Sequence, residues 1–206
     1  MEKNCRLKNL TDEQLITRLR EGETEPLDEL YSRYAKKLYL FFAYSMQVKN
    51  AEDLIHDVFL KVIKAANKFD PKKAAFRTWL FSIARNHCLD FLRHEKKIRF
   101  VSLEDNKEEN EANSHKNLSE SLSDQKVEVE PAFIRMSIHE AVNSCIHALT
   151  NEEERQVIVL YYSAGKVYRE IGDILGYSIS SVKKWLSRAL EKVRICLEQK
   201  GIDSIN

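Results

Sequence analysis

Apolar residues recur at three- and four-residue intervals over most of the 206-residue chain, the period of an amphipathic helix rather than of a strand. Leu27, Leu30, Tyr31, Tyr34, Leu38 and Phe41 form one stripe; Leu54, Ile55, Val58, Phe59 and Val62 form a second; Trp79, Leu80, Ile83, Ala84, Cys88, Phe91 and Leu92 form a third. None of the three can be buried alone, so together they predict a small helical bundle over 25–98. A shorter helix at 12–21, with Leu15, Ile16 and Leu19 inward, precedes it in a lead-in covering 1–24. The pattern lapses over 101–130, a stretch rich in Glu, Asn and Ser without an aromatic residue. Such a segment buries too little apolar surface to offset its ordering entropy, which predicts a flexible acidic linker, bounded at 99–131 and ending at Pro131. Helical spacing returns at 133–148 and 151–162, with Val157, Ile158 and Tyr161 inward, and then in a final pair of helices. Thr150, followed by Glu152, Glu153 and Glu154, is the expected N-cap with an acidic first turn. The predicted class is all-α: two small helical domains joined by the linker, the second domain covering 132–200 and a tail 201–206. Five glycines and three prolines agree with long helices.

A net charge of +1 hides strong segregation. Residues 61–100 carry eleven basic against three acidic groups, 101–130 three against nine, and 180–200 six against two. Two basic islands flank an acidic bridge, so local charge rather than the total is informative. Cys5, Cys88, Cys145 and Cys196 lie far apart without a C-x-x-C spacing; the expectation is neither zinc site nor disulfide but thiols in a reducing cytosol. The apolar run at 38–43 is far short of the roughly 18 residues of a membrane span, and the N-terminus lacks a signal-peptide core. A cytoplasmic protein without membrane insertion is expected. No cofactor and no enzymatic activity are expected either, since nucleophile, metal cluster and phosphate loop are missing from the pattern.

In "YREIGDILGYSISSVKKWLSRALEKVR" a short helix with Ile171, Ile174 and Leu175 inward is stopped by Gly176. Gly172 offers a bare backbone where a second helix would cross closely. That helix starts with Ser178 or Ser180 as N-cap and turns Val182, Leu186, Ala189 or Leu190, and Val193 inward. This is a helix-turn-helix, whose second helix lies in the DNA major groove. Its outward residues, Ser180, Ser181, Lys183, Lys184, Ser187 and Arg188, with Lys192 and Arg194 beyond, suit phosphates and purine edges. Trp185 sits among them. Either it packs beside Val182 and Leu186 at the core edge or it meets a thymine methyl.

The larger basic island interleaves aromatics with charge: Phe69, Phe76, Trp79, Phe81 and Phe91 among Lys72, Lys73, Arg77, Arg85, Arg93, Lys96, Lys97 and Arg99. Stacking planes beside cations suit single-stranded nucleic acid. Trp79 and Phe91 belong to the apolar stripe and are read as core, whereas Phe69 and Phe76, flanking Pro71, are read as exposed. Asp53 and Asp57, with His56 between them, share the polar face of the second bundle helix. No further ligand completes a metal site, so a protein-facing acidic edge or plain solvation is the better reading.

The segments "LDELYSRYAKKLYLFF", "AEDLIHDVFLKVIKAANKFDPKKAAFRTWLFSIARNHCLDFLRHEKK" and "YREIGDILGYSISSVKKWLSRALEKVR" resemble, in order and spacing, the two conserved parts of extracytoplasmic-function sigma factors of the sigma-70 family. The resemblance covers about 25–98 and 133–197. It implies a dissociable subunit that gives core RNA polymerase its promoter specificity. In it the helix at 51–67 docks on the β′ clamp helices, using Asp53, His56 and Asp57. The loop at 69–77, with Phe69, Lys72, Lys73, Phe76 and Arg77, captures a flipped −10 base. Arg85, Asn86 and Arg93 contact the melted −10 element of promoter DNA, the helix-turn-helix reads the −35 element, and its neighbours hold the β flap. Members are often restrained by an anti-sigma factor, which the resemblance adds as an expected partner. This chain departs from the family motif in carrying Trp185 for Arg, Ser180-Ser181 for Gly-Thr and Ser178 for Pro. The competing expectation is a conventional helix-turn-helix regulator that binds duplex DNA without polymerase.

Overall fold

The computed structural model describes residues 7–48, 50–105, 129–165 and 167–202, and every regular element among them is helical. Helix α1 (Asp12–Arg20) opens with a capping box, in which the Thr11 hydroxyl accepts from the Gln14 amide and the Gln14 side chain accepts from the Thr11 amide. It lies against α2 (Glu25–Leu40), whose Pro26 occupies the first turn, where no backbone donor is needed. Arg33 of α2 ties the pair together. Its guanidinium reaches Glu29, Asp12 and the carbonyls of Leu10 and Lys8.

A π-helical turn (Phe41–Ser45) prolongs α2 and leads to α3 (Ala51–Ala65), a 3-10 turn (Ala66–Lys68) and the long α4 (Phe76–Asp105). The three predicted stripes meet here: Leu30, Leu38, Phe41, Val58, Val62, Leu80, Phe81 and Ala84 are all fully buried. The second set comprises α5 (Val129–His147), α6 (Glu152–Ser163), α7 (Tyr168–Leu175) and α8 (Ile179–Gln199). Its core contains Val157, Ile158, Leu160, Ile171, Leu175, Val182, Leu186 and Ala189.

Three expectations need correction, and one open alternative is resolved. The cap of α6 is Asn151 rather than Thr150: Asn151 has the extended backbone of an N-cap, and its side chain accepts from the Glu154 amide at 2.7 Å. Both ends of the stretch predicted as linker are helical, because α4 continues to Asp105 and α5 begins at Val129. Nothing between Lys97 and Asp105 breaks a helix, and Pro131 sits in the first turn of α5, a position it tolerates. The predicted linker over 106–128 lies outside the described residues. Inward packing at the end of α8 uses Ala189, while Leu190 is exposed.

The third correction concerns the cysteines. Cys145 and Cys196 form a disulfide across 51 residues of sequence, because α5 and α8 pack side by side and bring the two Cα atoms to 5.8 Å. Sequence spacing carries no sign of such an encounter. Cys88 is a buried free thiol, and Cys5 lies outside the described residues.

The two sets of helices also meet. Arg155, buried on α6, donates through Nε to the Ser45 carbonyl at 3.2 Å and through Nη1 to the Leu149 carbonyl. Its neighbour Gln156 lies 3.4 Å from Met46 Sδ, and Gln47 donates to the His147 carbonyl at 3.2 Å. Helix α7 lies against α4.

Candidate nucleic-acid interface

The reading helix α8 is aimed by the turn that precedes it. Helix α7 ends at Gly176, whose φ of 76° is the left-handed conformation that side chains resist. The amides of Gly176 and Tyr177 both donate to the Gly172 carbonyl, at 2.8 and 2.9 Å. A Cβ on Gly172 would stand 2.6 Å from the Tyr177 carbonyl oxygen. The close approach expected at Gly172 is therefore made by the turn rather than by the crossing helix. Ser178 is the cap: its Oγ accepts from the Ser181 amide at 3.2 Å and lies 2.9 Å from the hydroxyls of both Ser180 and Ser181.

Beyond this serine cluster α8 turns Lys183, Lys184, Ser187 and Arg188 to solvent. Lys183 Nζ stands 5.6 Å over the Tyr168 ring, which restrains its stem without neutralising it. Trp185 is half-buried, edge-on to Tyr177 with ring centroids 4.7 Å apart, which places it at the core edge. The next cations differ. Lys192 is paired with the buried Glu154 at 2.6 Å, and Arg194 with Glu191 at 2.7 Å and with Glu198. The hydrogen bond and charge of Arg194 hold the Glu191 carboxyl below its usual range.

The loop before α4 is fixed from both sides. The Asp70 side chain accepts from the Lys72 amide at 3.0 Å, Arg20 donates to the carbonyls of Ala66 and Phe69, and Glu13 of α1 accepts from the Phe76 amide at 3.2 Å. Lys72 and Lys73 stand exposed on it. Phe69 and Phe76 do not, contrary to the sequence reading: they are 4% and 0% exposed. Both join Trp79 in one cluster, with Phe69 and Phe76 edge-to-face at 5.9 Å and Phe69 5.2 Å from Trp79. Mutual burial of three rings outweighs leaving two in water.

The remaining N-terminal candidates are spread along α4. From Arg77 to Arg93 the helix rises roughly 24 Å. Arg77 is paired with Glu170 of α7 at 2.6 Å, its guanidinium over Gly165, where a Cβ would meet it at 2.4 Å. Arg85 is half-buried, and its Nε has no hydrogen-bond partner among the described residues. Asn86 is exposed, as is Arg93, which is 3.0 Å from Asp90.

On α3 the side chains of Asp53, His56 and Asp57 are exposed together. His56 stacks on Tyr31 at 5.8 Å, and Asp57 lies 3.1 Å from His87. Among the described residues no group of His, Cys, Asp or Glu is placed to hold a metal ion. Sequence reasoning missed the continuation of this face, Leu60 and Ile63, which are 53% and 43% exposed. Leu60 follows His56 at i+4 and Asp57 at i+3, and Ile63 follows Leu60 at i+3, which was the available signal. It also missed Glu170 and Arg155, which only contacts between distant segments reveal.

Sequence comparison supplies the identity of this arrangement. A family model described as Sigma-70 region 2 matches residues 30–98, and one described as Sigma-70, region 4 matches 147–194. The chain is 28% identical over 177 residues to the ECF RNA polymerase sigma factor SigX of Bacillus subtilis (strain 168), covering 84% of each chain. The chain belongs to the extracytoplasmic-function sigma factors of the sigma-70 family. This sigma factor is also 28% identical over 186 residues to the RNA polymerase sigma factor CarQ of Myxococcus xanthus, covering 87% of this chain and 93% of that one. The fold is shared with the sigma factor RpoE from Bartonella quintana, solved in complex with the anti-sigma factor NepR. That match has a TM-score of 0.57 at 22% identity and covers 83% of this chain and 95% of the other. A promoter-directing sigma factor is thus the function of the chain, and the conventional regulator is not favoured, because the N-terminal half is itself a region 2 match. Among the described residues no helix is long and apolar enough to cross a membrane.

Proposed function

We propose that this sigma factor divides its work between the two sets of helices. The α3 face of Asp53, His56 and Asp57, extended by Leu60 and Ile63, binds core RNA polymerase at the β′ clamp helices. Acidic and apolar groups side by side on an exposed helix support this, since a solvated helix face gains nothing from two large aliphatic side chains. Lys72 and Lys73 on the loop, and Arg77, Arg85, Asn86 and Arg93 along α4, meet the −10 element, with strand-following positive charge as the common property. Phe69 and Phe76 act there by holding the loop rather than by stacking a base.

Helix α8 reads the −35 element through Lys183, Lys184, Ser187 and Arg188, with Ser180 and Ser181 at its N-terminus. The exposed basic stretch on the second helix of a helix-turn-helix is the observation that carries this reading. The neighbouring helices hold the β flap. No chemical step is assigned to the protein; it acts in the cytoplasm by binding, and an anti-sigma factor restrains it. The N-terminal set to the end of α4 and the C-terminal set from the start of α5 are its two functional units.

Run-off transcription with purified core enzyme is the test. Promoter-dependent initiation that requires this chain is expected, with no appreciable duplex binding by the free protein. Tight sequence-specific binding without core enzyme, and no initiation with it, would overturn the reading.

A further inference from the structure

The Cys145–Cys196 bond joins two helices that frame an apolar cavity. That cavity, about 650 Å³ in volume, is an apolar groove whose walls include Tyr44, Val142, Ile146, Tyr162, Val193 and Leu197. Ile146 and Leu197 are the chain neighbours of the two cysteines. The crosslink therefore sets the spacing of the α5 and α8 walls.

The two sulfurs differ in access. Cys145 is 1% exposed, whereas Cys196 is half-buried near the end of α8. Cys88 contrasts with both: it is 0% exposed, and burial pushes its thiol up to about 12, so it stays protonated and inert. A sigma factor works beside DNA in a compartment whose thiols keep most cysteines reduced, where a disulfide that forms at all is typically transient or sensing. The Cα separation of 5.8 Å is within the ordinary range for a disulfide.

We propose that Cys145 and Cys196 are a reversible dithiol–disulfide pair, oxidised through Cys196 by a low-molecular-weight disulfide, which fixes α5 against α8 when closed. This setting rests on the sigma reading; the chemistry does not. The Cys196 thiolate attacks one sulfur of the small disulfide, forming a mixed disulfide and releasing one thiolate. Cys145 then loses its proton and attacks the Cys196 sulfur, expelling the second thiolate. Two protein thiols are oxidised, one small disulfide is reduced to two thiols, and the cysteine protons end on them. Excess small thiol reverses both steps. Reduced, α5 is held to α8 by packing and by the Lys200 to Ser144 hydrogen bond at 3.4 Å.

The test equilibrates the full native chain in oxidised or reduced glutathione, then quenches, alkylates and maps the thiols by mass spectrometry, with hydrogen exchange over 138–148 as second readout. Cys145 and Cys196 are expected to convert together and reversibly, with Cys88 unmodified in the folded state. Exchange in 138–148 should quicken by about tenfold or more on reduction. The Cys196→Ser and Cys145→Ser chains should show no redox response in exchange. A pair that stays bonded in excess reduced glutathione is a static crosslink and overturns the proposal. So does a pair that stays reduced in excess oxidised glutathione, or one whose conversion leaves exchange unchanged. Failure of run-off transcription with thiol conversion intact would sink the sigma reading alone.

Discussion

Trp185 illustrates how a single side chain changes meaning once its neighbours are known. Its indole lies edge-on to Tyr177, beside the buried Val182 and Leu186, so it braces the turn against the helix it belongs to. Trp185→Ala is expected to lower stability by about 1–2 kcal/mol, the scale of a partly buried aromatic pair, measured by urea denaturation. Trp185→Arg, which restores the family's residue, should lose that contact and change −35 preference little; a large change in preference at unaltered stability would show that the ring faces DNA instead. The cations one turn away behave differently. Lys183→Ala or Arg188→Ala should cost roughly 1–3 kcal/mol at a contacted base pair, read as affinity of the holoenzyme for promoters with altered −35 elements, while the paired Lys192 should affect stability more than sequence preference.

Helix ends and helix faces carry the next level of argument. Ser178 satisfies the Ser181 amide at the start of α8, and its loss to Ala should cost about 1 kcal/mol by removing a cap, visible as a lowered midpoint of unfolding. On α3, reversing Asp53 and Asp57 to Lys tests the acidic part of the polymerase-facing edge, and Leu60→Asp tests its apolar part. All three residues are exposed, so the fold should tolerate each change within about 0.5 kcal/mol. Affinity for core enzyme should fall tenfold or more; unchanged affinity would move the docking face elsewhere. The element ends were only partly legible from sequence. Pro131 reads as a terminator by composition but is compatible with a first turn, which is why α5 begins two residues before it.

At the scale of the molecule the two sets of helices press against each other through α7 on α4 and through α6 on the π-helical turn. Arg77, a residue proposed for the −10 element, is here bonded to Glu170 of the helix-turn-helix. Both side chains are partly exposed, so the pair is worth about 1 kcal/mol or less after solvent screening, a contact that a competing phosphate can replace. Glu170→Gln should therefore loosen the contact without unfolding either half. Fluorescence energy transfer between labels on α4 and α8 is expected to report a larger or broader separation, and more so when Gly165 carries a side chain that displaces Arg77. An unchanged distance distribution would show that apolar packing, the Arg155 bond to Ser45 and the Gln47 bond to His147 hold the halves alone.

The sequence by itself determined that the chain is helical, where its three N-terminal stripes lie, and that α7 and α8 turn about Gly176, because helical periodicity, caps and a left-handed glycine are local properties. It also determined which face of α8 is basic, since the inward positions Val182, Leu186 and Ala189 leave only one other side. Through its resemblance it pointed to the family that the comparisons show. Only the tertiary structure decided that Phe69 and Phe76 are buried, that Arg77 has a partner 93 residues away, and that Cys145 meets Cys196. Each of these depends on distances between segments far apart in the chain, which no periodicity encodes and which packing of one helix on another sets.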